Sequence, residues 1–171
     1  KNVSFISGQD INLAGTLTKA TGAGTATYVL QANRNISNSS SAGITATTGS
    51  INLTFNADYN QATAPGGFIS FTGGTFSTNG GAMIMGGGTD PLMNNALGSS
   101  GSYGVSLTGT TVNAGGGNIS IRGYNATVNG AGQYYHGVNI ASGSSITTTG
   151  SGTISIYGTG GSAGLGFNYG V

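Results

Sequence analysis

Thr48–Leu53 reads TGSINL, Gly80–Met85 reads GGAMIM, Gly116–Ile121 reads GGNISI and Ser151–Ile156 reads SGTISI. The leading apolar residues of the four are Ile51, Met83, Ile119 and Ile154, so the steps are 83 − 51 = 32, 119 − 83 = 36 and 154 − 119 = 35. A spacing of this size, with one short alternating strand per copy, marks a repeat architecture. Two further series keep the same spacing. Tyr28-Val29-Leu30, Ile69-Ser70-Phe71, Val105-Ser106-Leu107 and Val138-Asn139-Ile140 read as second strands, and Ile36, Phe76, Val112 and Ile146 as single apolar positions of a third. Period-2 alternation turns Ile119 and Ile121 to one face and Ser120 to the other. Three such faces per turn close into a triangular coil, and stacked coils form parallel sheets with strands about 4.8 Å apart. The reading is all-β: a parallel β-helix of three strands per coil and about 33–36 residues per coil, with residues 1–171 as one segment.

Composition agrees. Glycine supplies 35 of 171 residues, and charged residues are 4%, against roughly a quarter in ordinary domains. Glycine and asparagine accept the positive φ that coil corners need. No window carries a sustained 3.6-residue apolar period, so helix is not expected. Disordered chains of this flavour lack apolar residues in register; here they are in register. Pro65 and Pro91 both fall between first and second strands, where a loop is expected.

The same composition excludes several functions. Lys1, Lys19, Arg34 and Arg122 are scattered, whereas nucleic-acid binding needs clustered cations. No apolar run reaches the roughly 20 residues of a membrane span. Lys1-Asn2-Val3-Ser4 leads straight into strand sequence, so no signal peptide is expected. There is no cysteine and His136 is the single histidine, so neither a disulfide frame nor a zinc pair is available. No nucleophile elbow is present, and the glycine run Gly158–Gly164 has no following helix to hold a phosphate. No catalytic residue, metal site or cofactor is expected.

The variable part of each copy lies between its first and second strands: Thr54–Phe68, Gly86–Gly104, Arg122–Gly137 and Tyr157–Gly170. Three of these end alike, in GSYGV, QYYHGV and FNYGV, which puts Tyr103, His136 and Tyr169 at steps of 136 − 103 = 33 and 169 − 136 = 33. Coil geometry stacks the three rings. The favoured reading is a corner ladder holding the loop against the coil. The sharper reading is a platform for sugar rings or a receptor, with Tyr124, Tyr134 and Tyr135 nearby. Asp58 and Asp90 each stand five residues after a first strand. Paired carboxylates serve acid–base chemistry or bind calcium, but aspartate is also a common turn former, and that reading is preferred.

Three phrases, GQDINLAGTL (Gly8–Leu17), GGNISIRG (Gly116–Gly123) and GVNIASGSSITTTGSGTISIYGTGGSAG (Gly137–Gly164), resemble the β-helical stalks of filamentous-haemagglutinin-like exoproteins, large secreted adhesins of Gram-negative bacteria. The resemblance is fullest from Gly101 to Val171. It implies a right-handed β-helix, export by two-partner secretion, an extracellular or cell-surface location and a role in adhesion or matrix. No residue role carries over from it. The expected function is a structural segment of an extracellular fibre or adhesin stalk, not an enzyme. Its expected partners are further coils of the same chain or copies of itself stacked end to end, together with surface glycans or receptors.

Two alternatives are a polysaccharide lyase-like β-helix, which needs a charged cleft, and an ice-binding solenoid, which needs a threonine ladder. Thr45, Thr47, Thr108 and Thr147–Thr149 are not expected to share a coil position. The step from Val3 to Ile11 equals that from Ile146 to Ile154, 8 residues, so the segment is expected to open on a third strand. Gly170-Val171 matches Gly137-Val138, so a second strand is expected to begin at its other end.

Overall fold

The computed structural model describes residues 1–60, 66–99, 101–127, 135–162 and 168–171. Among these, every regular element is a strand, and every strand pairing is parallel. The first sheet holds β1 (Val3–Ser7), β4 (Thr25–Ala32), β7 (Ser50–Ala57), β10 (Met83–Gly87), β14 (Ile119–Asn125) and β17 (Ile154–Thr159), with β11 (Ala96–Gly98) also paired to β14. The second runs through β2 (Ile11–Leu13), β5 (Ile36–Asn38), β8 (Ile69–Thr72), β12 (Val105–Thr108) and β15 (Val138–Ala141). The third runs through β3 (Leu17–Lys19), β6 (Ile44–Ala46), β9 (Thr75–Ser77), β13 (Thr111–Asn113) and β16 (Ser145–Thr147). The chain visits the three sheets in turn and climbs one level each time. This is the expected three-strand-per-coil parallel β-helix.

The register corrects the sequence reading in its first half. Met83 pairs with Leu53, not Ile51, a shift of two residues. Tyr28-Val29-Leu30 lies in the first sheet, against Leu53-Thr54-Phe55. Ile36 belongs to the second sheet, and Ile44 takes the place expected for it in the third. Val3 pairs with Tyr28, so the segment opens on the first sheet rather than the third. The cause is coil length. Along Val3, Tyr28, Leu53, Met83, Ile119 and Ile154 the steps are 28 − 3 = 25, 53 − 28 = 25, 83 − 53 = 30, 119 − 83 = 36 and 154 − 119 = 35. The period of the long coils does not extend back to the short ones.

The difference sits at one corner. From first to second sheet, Val3 to Ile11 and Tyr28 to Ile36 are 8 residues each, whereas Leu53 to Ile69 is 16, Met83 to Val105 is 22 and Ile119 to Val138 is 19. From second to third sheet the corresponding steps stay between 17 − 11 = 6 and 44 − 36 = 8. At the other end, the Val138 N–H donates to the Gly170 carbonyl at 2.9 Å, as expected for a second strand beginning there.

The inward rows form one apolar column. Ile51, Leu53, Met83, Met85, Ile119 and Ile121 are buried as expected; on β17, the last strand of the first sheet, Ile156 is half-buried and Ile154 is 44% exposed. At mid-height the three sheets each send in a phenylalanine. Phe55 meets Phe71 edge-on at 5.0 Å between ring centroids and Phe76 at 5.3 Å, and Phe71 stacks on Phe76 at 4.3 Å. All three are fully buried. Replacing Phe55 by alanine is expected to lower stability by about 3–5 kcal/mol in chemical denaturation, through lost transfer energy and an unfilled cavity. Ile119→Asp, which puts a charge in the same column, is expected not to fold; a wild-type melt of that variant would refute the register.

Candidate functional site

The longer corner segments all lie at the junction of first and second sheets, and there the backbone of successive coils comes very close. A Cβ on Gly123 would stand 2.2 Å from the Gly137 carbonyl oxygen, and one on Gly137 would stand 2.2 Å from the Thr159 nitrogen. Only glycine allows the returning loop to pass so near the first-sheet strand of its own coil and that of the coil above. The returning loop delivers its ring at this point.

The expected ladder is present. Tyr103 stacks on His136 with ring centroids 5.5 Å apart and planes 5° from parallel; His136 stacks on Tyr169 at 5.5 Å and 17°. The Tyr169 N–H donates to His136 Nδ1 at 3.1 Å, tying two levels together through backbone and imidazole. Tyr103 and His136 are half-buried, while Tyr169 is exposed. The other two aromatics expected near the platform separate from it. Tyr135 is 4% exposed, with its carbonyl accepting from the Gly161 N–H at 2.8 Å, so it is buried and presents no surface ring. Tyr134 and Pro65 lie outside the described residues. Tyr124 is half-buried on the first sheet, paired with Leu97.

Two recesses border the ladder. One, of about 230 Å³, is lined by His136, Val138, Asn139, Ile140, Tyr169 and Val171. The other, of about 220 Å³, is lined by Phe68, Ser70, Gly101, Ser102, Tyr103 and Ser106. Neither is lined by Lys, Arg, Asp or Glu. Both open on the outer face of the second sheet, where Ser70, Ser106 and Asn139 form one outward row. The sequence pointed to the rings through their spacing of 33 residues; it gave no sign of Phe68 and Ser70, whose place depends on the fold.

The acids do not form a site together. The register that pairs Ala57 with Gly87 takes Asp58 and Asp90 out of step. Asp58 is 6% exposed, with φ +50° and its N–H donating to the Arg34 carbonyl. Asp90 is exposed and makes a turn: its Oδ1 accepts from the Leu92 N–H at 3.0 Å, and its carbonyl accepts from Met93 and Asn94. Asp10 accepts from the Asn35 N–H and lies 3.6 Å from Arg34 Nε in an exposed pair. Among the described residues no group of three His, Asp or Glu side chains converges, and no helix is long and apolar enough to cross a membrane.

Thr45 and Thr147 do share an outward row of the third sheet, contrary to expectation. The row reads Thr18, Thr45, Ser77, Asn113, Thr147, so serine and asparagine interrupt it.

No protein-family model, curated protein or solved structure matches the chain.

Gly137→Ala is expected to cost about 1–3 kcal/mol, because the added methyl meets backbone that cannot step aside. Gly15→Ala, where nothing lies within 4 Å of the new carbon, is the matched control. Comparing the two by thermal melting checks the close approach at this corner.

Proposed function

We propose that this chain is a structural segment of an extracellular fibre or surface adhesin stalk, carrying a glycan or receptor contact along one edge. The observation that carries the reading is the column itself: three parallel sheets climb in step from coil to coil around one apolar core. A solenoid of this kind lengthens by adding like coils, each resting on its neighbour. Parallel stacking joins unlike ends only, and such contacts do not close, so they build rods.

The resemblance of GGNISIRG and its companion phrases to filamentous-haemagglutinin-like stalks supports the same reading. It brings with it the proposal of a two-partner-secreted protein on a Gram-negative surface. The ring ladder and its two recesses support the contact edge. A polysaccharide-cleaving role is the second choice, since Asp58 and Asp90 are two register positions apart and differ in burial.

Negative-stain electron microscopy of the native material is expected to show unbranched rods, as one long chain or as stacked copies. Compact globular particles in place of rods would overturn the proposal.

A further inference from the structure

The ring ladder has an open foot. Gly67, Tyr103 and His136 each stand two residues before the second-sheet positions Ile69, Val105 and Val138, and Tyr169 stands two before Val171. Three of the four carry rings. The fourth has no room for a side chain, because a Cβ on Gly67 would lie 2.1 Å from the Arg34 carbonyl oxygen and 2.5 Å from the Asp58 nitrogen. The lowest ring therefore has nothing of the series beneath it. One face of Tyr103 is covered by His136, and the other looks toward the coil below, into the 220 Å³ recess.

That recess has the make-up of a sugar subsite. Phe68 and Tyr103 supply aromatic walls. Ser70 and Ser106 are neighbours on the outward row of the second sheet. Ser106 Oγ accepts from Asn139 Nδ2 at 3.4 Å, which leaves its own hydrogen to donate, and Ser70 Oγ has no protein partner among the described residues. Ser102, by contrast, is engaged in both directions with the Ser99 backbone. A pyranose presents an apolar C–H face and a rim of hydroxyls. An aromatic face beside hydroxyls that both donate and accept is complementary to both, and small-ligand sites combine such walls with a few polar anchors.

We propose that this recess binds one pyranose unit of a neutral glycan, its C–H face against the free face of Tyr103 and its hydroxyls on Ser70 and Ser106. The inference rests on the contact-edge reading above and gives it a ligand class and a location. It also moves the contact. The faces between Tyr103, His136 and Tyr169 are occupied by one another, so the ladder acts as a rigid backing for Tyr103. The recess is shallow and half-open, so a single unit binds weakly, and useful strength comes from many copies along a rod.

The test uses the whole 171-residue chain and three probes: the methyl β-glycosides of glucose, galactose and N-acetylglucosamine, titrated to about 20 mM by saturation-transfer NMR, a range suited to weak single-site binding. At least one glycoside is expected to bind. Tyr103→Ala is expected to weaken it about tenfold, while Tyr103→Phe, which keeps the ring face, stays within about twofold. Ser70→Ala combined with Ser106→Ala is expected to weaken it severalfold. Far-UV circular dichroism checks that each variant keeps its β-structure. Binding that survives Tyr103→Ala but fails in Tyr169→Ala overturns the subsite and leaves the contact edge in place. No saturation of any of the three glycosides by the unaltered chain overturns the subsite; a parallel screen of the chain on charged and branched glycans then decides whether the contact edge falls with it.

Discussion

The width of the interior governs this molecule. Three parallel sheets face one another across a column with room for a few side chains per level, and Phe55, Phe71 and Phe76 occupy one such space together. Each ring comes from a different sheet, so the trio fixes the distances among all three walls. The sheets cannot slide relative to one another without separating those rings. A shift of one residue in any strand would turn its inward side chains to solvent and its outward ones into the column. The parallel registers follow from this, and so does the poverty of charge: a chain with only seven Lys, Arg, Asp and Glu side chains rarely has to place one near the column.

Polar side chains tie the levels together on the outside. Immediately before the first-sheet row, Asn2, Asn52 and Asn118 each accept from the backbone N–H one coil up, at Thr27, Ala82 and Thr153. Asn35 does the same for Phe68 before the second-sheet row. A carboxamide at a strand entrance satisfies a donor that the ladder itself leaves over. In the long coils glycine takes this place in the second sheet, at Gly104 and Gly137, since the returning loop occupies the space a side chain would need. Corner chemistry thus tracks corner length.

The upper coils were readable from sequence because their perimeters are nearly equal; Ile119 and Ile154, or Val105 and Val138, match letter for letter. The lower coils lack the corner segment, and a period taken from the upper ones misplaces Tyr28, Ile36 and Val3. The alternation inside each strand was right even where its sheet was wrong, since burial within a strand depends on neighbours two residues away and sheet identity depends on the length of a distant loop. The ring ladder was legible for the same reason as the upper coils. The recess below Tyr103 was not, because it is made by a missing side chain. The one sequence sign of it is Gly67, aligned with Tyr103 once Ile69 and Val105 are paired.

The inter-coil hydrogen bonds all point along the rod. A pull on its two ends therefore loads those bonds lengthwise and opens the sheets one level at a time, while the covalent chain stays whole. Each level released becomes a tether of extended chain, about 85 Å for a coil of 25 residues and about 120 Å for one of 36, in place of a rise of about 4.8 Å. A solenoid of this kind yields to such a pull by paying out slack in steps, and the short coils and the long ones pay it out in different amounts. Its extensibility is written in the same corner segment that carries the rings.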